Sequence, residues 1–346
     1  MLWVNKTGVN QVFYDNQIEP VSIRPVYAIS DLDVNGVRPK SFTPITSIYE
    51  ILDQKPDASI RLVRVSSIGD ILLLFPVFYR IKELYPECRL SFASVKRYLP
   101  LIKYIDFIEP VDEKKAGLAN NIDFGYDFNL TIERAERYGW GKNFHRSEIY
   151  ARILGIEIPE YRYTLPYSDV EKIEVLNIMK SKGYDEVSAD PIIGFQLRGA
   201  NESRSFPLEK IKNVIKRLTE TGIRTVLIDG DRNIGWEGTN IINMCGTVDV
   251  LGLAALIDMC DLAVSTDSGV THLAGAVEKK NVAFFGCIPA KNRVKYPNCH
   301  VVDLAKEWGC ESSECWEGGG RCGRQWSCLI DADENLIFDR ITEQLK

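Results

Sequence analysis

No apolar run in this chain approaches the roughly 20 residues that a membrane-crossing helix needs. The longest, Ile71 to Phe78, is far too short. The opening residues, Met1-Leu2-Trp3-Val4-Asn5-Lys6, lack a basic region followed by a long apolar core, so they do not read as a secretory signal. Together these absences predict a cytoplasmic protein with no transmembrane segment. A basic surplus is also missing. The net charge of -6 argues against a broad surface for nucleic acid or anionic lipid. No G-x-G-x-x-G follows the first strong strand, where Ser66 to Asp70 offers a single glycine. A dinucleotide-dependent oxidoreductase is therefore disfavoured. Internal repeats and low-complexity segments are absent as well.

What is present is ordinary in bulk and specific in detail. The chain has 346 residues, 45% hydrophobic and 26% charged, enough for two domains and a small extension. Residues 1–57 hold short β-prone stretches, such as Gln11 to Tyr14 and Val21 to Ile29, between turn residues. They read as a β-rich extension, with a short helix at Ser47 to Leu52. From Ile60 the pattern alternates strand and helix. Strands are expected at Ile60–Val65, Leu90–Ser94, Phe107–Val111 and Phe128–Ile132. Helices are expected at Ile71–Tyr85, with a distortion at Pro76, and at His145–Leu154, ended by Gly155.

A second alternating run follows Pro166. Its helices are Asp169–Lys182, Leu208–Thr221, about 249–259 and 269–278. Its strands are Ile192–Leu197, Thr225–Ile228, Leu262–Ser265 and Val282–Phe285. Two such runs imply an α/β protein with two Rossmann-like parallel-sheet domains whose strand ends face each other across a cleft. The divisions are 1–57 for the extension, 58–166 and 167–330 for the two domains, and 331–346 for a closing helix.

Four segments carry chemistry. Arg64-Val65-Ser66-Ser67-Ile68-Gly69-Asp70 passes from strand through a small-residue turn into a helix, which places Ser67, Gly69 and Asp70 at the ligand-binding edge of a sheet. The bland alternative makes Asp70 a helix-start charge. Thr266-Asp267-Ser268-Gly269-Val270-Thr271-His272 opens a helix after a strand. Its N–H groups suit an anion, against the plain alternative of an Asp or Ser cap. His272 lies one turn in, where a lone helix histidine is more often structural than catalytic. Gln196 to Pro207 is a basic loop in which Arg198 and Arg204 suit a diphosphate. Taken alone, it is also what a solvated loop looks like.

The fourth segment is the cluster Cys310, Cys315, Cys322 and Cys328, within residues 308–329. Nine cysteines in a chain of this size, an odd number, argue against a disulfide framework. Four thiolates suit a tetrahedral structural zinc or iron, and free thiols in an irregular loop are the competing reading.

Ser66-Ser67-Ile68-Gly69-Asp70, followed some two hundred residues later by Asp267-Ser268-Gly269-x2-His272-x-Ala274, resembles glycosyltransferase family 9, the ADP-heptose:lipopolysaccharide heptosyltransferases. The likeness covers roughly residues 60–345. It implies the GT-B architecture, with the nucleotide sugar on the C-terminal domain and the acceptor on the N-terminal one. It implies that Asp70 is the general base and that Asp267, Ser268 and Gly269 bind the donor's sugar and phosphates. Ser67 and Gly69 are placed on the acceptor or cleft side, and Arg198, Arg204 and His272 on the donor side. In much of the family a lysine precedes a Trp-Pro step; here Ser203-Arg204-Ser205-Phe206-Pro207 puts Arg204 in its place.

Heptosyltransferases that modify autotransporter proteins resemble the chain in their β-rich extension, their Cys-rich finger and the stretch Phe144 to Gly155. The expected partners are a nucleotide-diphosphate sugar and a glycan, lipid-linked or protein acceptor, with self-association left open. No cofactor is expected for catalysis, because cationic side chains and helix N–H groups take a divalent metal's place. The rival reading is a non-catalytic sugar-nucleotide or protein-binding module on the same fold.

Overall fold

The computed structural model describes residues 2–5, 42–45, 47–115, 122–129, 131–138, 140–310 and 327–346. The chain divides into two compact units, Met1–Tyr163 and Thr164–Lys346. The division falls three residues before the one expected from sequence, and the closing helix lies within the second unit.

In the first unit, β1 (Leu2–Asn5) and β2 (Phe42–Ile45) pair antiparallel. The expected strands at Gln11–Tyr14 and Val21–Ile29 lie outside the described residues. A short helix, Tyr49–Leu52, follows, and the Ile48 N–H donates to Leu154 O at 2.9 Å, tying it to the body of the unit. That body is a four-stranded parallel sheet of β3 (Ser59–Val63), β4 (Arg89–Ser94), β5 (Ile108–Asp112) and β6 (Phe124–Asp127), in the order β5-β4-β3-β6.

Two sequence expectations need correction here. The strand placed at Phe128–Ile132 lies four residues earlier, and Thr131–Tyr138 is helical. The apolar positions Phe124, Tyr126 and Phe128 belong to one edge of the core, and the Phe128 N–H still bonds to Val63 O at 2.9 Å. The single helix expected over Ile71–Tyr85 is two, Ile68–Leu72 and Phe75–Leu84. Pro76 lies in the first turn of the second, where its missing N–H costs nothing. Phe75, Phe78 and Phe92 are fully buried between that helix and the sheet, with Phe78 and Phe92 edge-on at 5.3 Å.

The second unit is a six-stranded parallel sheet: β7 (Ile192–Gln196), β8 (Arg224–Ile228), β9 (Ile241–Asn243), β10 (Leu262–Thr266), β11 (Asn281–Phe285) and β12 (Cys299–Asp303). Strands β8, β10 and β11 are buried at every position, as a sheet covered by helices on both faces requires. The helices are Asp169–Ser181, Leu208–Glu220, Val250–Asp258, Gly269–Ala276 and Glu334–Glu343, with two short ones at Leu304–Glu307 and Ser327–Ile330. Ile337 and Ile341 of the closing helix join the same core as Val214 and Leu218. Gly155, Gly183 and Gly222 each follow a helix with φ of 66°, 89° and 88°, the left-handed stop that glycine permits. No helix among the described residues is long and apolar enough to cross a membrane.

The sheet orders locate the sites. In the first unit the chain runs β3 to β4 to β5 in one direction and returns to place β6 on the other side of β3. In the second, β7, β8 and β9 run one way, and β10, β11 and β12 lie on the other side of β7, in the order β12-β11-β10-β7-β8-β9. Each sheet therefore has a switch point, between β3 and β6 and between β7 and β10. The crevice outside the carboxyl ends of those strands is where open parallel sheets bind ligands.

Candidate active site

Arg64 follows β3 at the first switch point, and its backbone N–H bonds to Ala93 O at 3.0 Å. Its Nη1 donates to Phe128 O at 3.1 Å and to Glu133 at 3.2 Å. Its Nη2 meets both Asp70 and Glu133. Asp70 is the third residue of helix Ile68–Leu72, where it accepts from the Ser67 N–H at 3.2 Å and completes a capping box with Ser67.

From the other side comes Arg146, the first residue of helix Arg146–Leu154, which bonds Asp70 and forks onto Glu136, with Nε to Oε1 at 3.0 Å. That helix starts well because His145 caps it, accepting from the Ser147 N–H at 3.3 Å while Glu148 reaches back to His145 N at 3.0 Å. Tyr150, one turn beyond Arg146, lies on the same face. Its buried phenol is within electrostatic reach of Arg64, Asp70 and Arg146.

The result is a chain of alternating charge, Glu133–Arg64–Asp70–Arg146–Glu136. Asp70 is 8% exposed. Burial pushes its proton affinity up, but the Arg146 and Arg64 guanidiniums and their hydrogen bonds outweigh that and hold the carboxyl well below the usual carboxylate range. Asp70 is therefore ionised at neutral pH. Ser67 is exposed and Gly69 buried beside it. The sequence singled out Asp70 but not Arg146, Glu133 or Glu136, which arrive from elements many residues away.

At the second switch point Thr266, Asp267 and Ser268 leave β10, and Gln196 ends β7 beside them. Ser268 caps helix Gly269–Ala276, accepting from the Val270 N–H at 3.2 Å. Arg204 reaches Asp267, Nε to Oδ2 at 3.4 Å, and Thr266 Oγ1 donates to Arg204 O at 2.6 Å. The loop folds back tightly: a Cβ on Gly199 would lie 2.3 Å from Arg204 O, so only glycine fits. Arg204, Asp267, Ser268 and Gly269 are thus brought together.

The side chains of Arg198 and His272, also singled out in the sequence, are engaged elsewhere. Arg198 is turned to Asp229, at the end of β8, with Nε to Oδ2 at 2.9 Å and Nη2 to Oδ1 at 2.8 Å. Asp229-Gly230-Asp231 is an Asp-x-Asp triplet at the edge of this sheet that the sequence reading passed over, and Arg198 takes both carboxylate oxygens of Asp229. His272 is buried, with Nδ1 2.9 Å from the Tyr296 hydroxyl. Of the cysteine cluster, Cys310 and Cys328 are described; Cys315 and Cys322 lie outside the described residues. Among those described, no group of three or more His, Cys, Asp or Glu could hold a metal ion.

Two parallel-sheet units in one chain, each carrying charged and polar groups at its switch point, are the architecture of GT-B glycosyltransferases. Residues 148–293 match the model of glycosyltransferase family 9 (heptosyltransferase). Among solved structures the chain is similar to a family 9 glycosyltransferase from Veillonella parvula, at 16% identity and a TM-score of 0.65 over 84% of this chain and 97% of that one. It is similar to TibC, an iron-containing dodecameric glycosyltransferase from enterotoxigenic E. coli, at 15% identity and a TM-score of 0.61 over 84% of this chain and 77% of that one. It is also similar to the ADP-heptose lipopolysaccharide heptosyltransferase II of E. coli, at 16% identity and a TM-score of 0.55 over 83% and 98%. No curated protein matches the sequence. The family match over residues 148–293 and the shared fold support a glycosyltransferase of the family 9, heptosyltransferase-like kind.

Proposed function

We propose that the chain moves a heptose or related sugar from an ADP-sugar, or another nucleotide-diphosphate sugar, onto an acceptor hydroxyl, with inversion at the anomeric carbon. The observation that carries this reading is Asp70, an ionised carboxylate held by two arginines at the switch point of the first unit. The acceptor oxygen forms the new bond to the anomeric carbon, the bond from that carbon to the diphosphate breaks, and the acceptor proton passes to Asp70. Asp70 is a weak base at equilibrium, so the proton moves as the bond forms rather than ahead of it. Three carboxylates facing two guanidiniums leave the network one charge negative, and the captured proton neutralises it.

In the second unit, Arg204 and the start of helix Gly269–Ala276 offset the charge that grows on the leaving diphosphate. Asp267 keeps Arg204 in place and suits the sugar hydroxyls. Arg198 can join only by leaving Asp229. These cations take the part of a divalent metal, so turnover needs none added. TibC has been solved with ADP-D-beta-D-heptose, which makes an ADP-heptose the first donor to test. The acceptor is a glycan, a lipopolysaccharide core or a protein.

TibC is iron-containing and dodecameric, which supports a structural iron or zinc at Cys310, Cys315, Cys322 and Cys328 and self-association of this chain. The protein is proposed to act in the cytoplasm, where nucleotide sugars are available.

A panel of nucleotide sugars tested by thermal shift selects the donor, since a ligand of the folded state raises apparent stability. The anomeric configuration of the product, read by NMR, then tests inversion. A retained configuration, or no shift with any nucleotide sugar, overturns the proposal.

A further inference from the structure

Ser268 stands where a hydroxyl would be expected to meet phosphate, but its hydrogen is already committed. The Ser268 hydroxyl donates to Gln196 Oε1 at 2.6 Å, and the same oxygen accepts from the Val270 N–H at 3.2 Å. The orientation of the Gln196 amide is fixed independently at both ends. The Thr266 backbone N–H can only donate, and it reaches one end of the amide at 3.2 Å, so that end is Oε1. The Arg198 carbonyl can only accept, and it lies 2.7 Å from the other end, so that end is Nε2. With no hydrogen on Oε1, the Ser268 hydroxyl has to be the donor between them.

The amide has one hydrogen left. Of the two on Nε2, one goes to Arg198 O, and the other has no protein partner among the described residues. The Oε1 bonds are partly buried, while the Nε2 bond is exposed, so the donor end of the amide is the open one. Gln196 also ends β7, beside β10, at the switch point between the two strands.

We propose that Gln196, and not Ser268, is the side chain that donates a hydrogen bond to the diphosphate of the bound nucleotide sugar. Ser268 caps the helix and anchors the amide. The backbone N–H of Gly269, at the helix start, meets the anion beside it. This assignment rests on the donor-site reading above, and its test separates the two.

Binding of ADP, GDP and UDP to the wild-type chain is measured by calorimetry, and the tightest is carried forward with its own nucleoside as a control. Gln196→Leu should weaken the diphosphate about tenfold or more and the nucleoside less than about threefold, as loss of a bond to a charged group requires. Ser268→Ala removes one anchor of the amide but not its donor, so it should weaken the diphosphate less than Gln196→Leu does. Gln196→Glu keeps the acceptor contacts with Thr266 and Ser268 and gives up only the bond to Arg198 O, and its melting temperature checks that it folds if Gln196→Leu does not. It lacks the N–H and should lose the diphosphate at least as strongly as the leucine variant.

Diphosphate binding within threefold in Gln196→Glu, or a loss in Ser268→Ala equal to that in Gln196→Leu, overturns the assignment. Arg204→Ala serves as the reference: if it weakens the diphosphate and the Gln196 variants do not, only this inference fails. If neither does, or the wild-type chain binds none of the three, the donor-site reading fails and this one with it.

Discussion

Arg146 joins two carboxylates, forking onto Glu136 with Nε to Oε1 at 3.0 Å while its Nη1 bonds Asp70. Arg64 does the same between Glu133 and Asp70. Asp70 is thus a carboxylate that both arginines bond directly. Two buried guanidiniums from separate elements hold Asp70 ionised, which is more than a helix cap alone requires.

If Asp70 is the base, Asp70→Asn and Asp70→Ala should leave nucleotide binding intact while transfer falls by about 10²–10⁴-fold. The measurement is steady-state transfer alongside calorimetric donor binding. Transfer within threefold of wild type removes Asp70 from the role.

The same network predicts a pH dependence of stability. The folded-state proton affinity of Asp70 is held below that of the unfolded chain, so its contribution is present above the unfolded value, about 3.9, and is lost as pH falls below it. Wild-type stability should fall on acidification below about pH 4, and Asp70→Asn should flatten that fall. Urea denaturation followed between pH 3 and 7 reads this out, and parallel curves for the two proteins would refute it. Glu136→Gln leaves Arg146 buried with a weakened partner and should cost about 3 kcal/mol in the same assay. A cost under about 1 kcal/mol would mean that the fork adds little.

Arg204→Ala should weaken a nucleoside diphosphate about tenfold or more while leaving the bare nucleoside nearly unaffected, because Arg204 lies beside Asp267, just before the helix start at Ser268-Gly269. Equal losses for the two ligands show that it does not touch phosphate. Turnover should also survive EDTA. Loss of turnover, restored by magnesium or manganese, would return the Asp229-Gly230-Asp231 triplet to consideration as a metal site.

How much of this was legible in the sequence depends on distance along the chain. Helices with local signals were placed to within a residue or two: His145 and Gly155 bracket one, Pro207 and Gly222 another. The switch-point residues Asp70, Arg204 and Asp267 stood out because each sits at a strand–helix junction. Short or polar strands such as β9 and β12 were missed, since three to five residues give little periodicity. The pairing of Asp70 with Arg146 spans 76 positions, and no local pattern encodes such a contact. Sheet order was equally hidden, so the choice of Gln196 as the neighbour of Ser268 had to come from the fold. Asp229-Gly230-Asp231 was readable and was overlooked. The spacing shows the triplet but not that Arg198 covers it.

The cysteine cluster gives the last prediction. Cys310, Cys315, Cys322 and Cys328 lie in a stretch with few aliphatic residues and a run of three glycines, Gly318 to Gly320, which cannot build a core of its own. Its two ends are anchored in the second unit. The Cys310 N–H bonds Ala305 O at 2.8 Å, and Cys328 is buried beside Leu329 in the main core. A four-thiolate ion would turn binding free energy into folding free energy for the segment between those anchors. Zinc and iron both accept such a ligand set. Elemental analysis of protein purified without chelator should find about one metal ion per chain. Replacing Cys315 and Cys322 by serine should remove the metal and raise protease sensitivity within residues 311–326. The same change should leave nucleoside diphosphate binding within about threefold, because Arg204 and Ser268 belong to other elements. A chain that carries no stoichiometric metal and whose four thiols all titrate freely in the native state has no such site, and the cysteines are then ordinary loop residues.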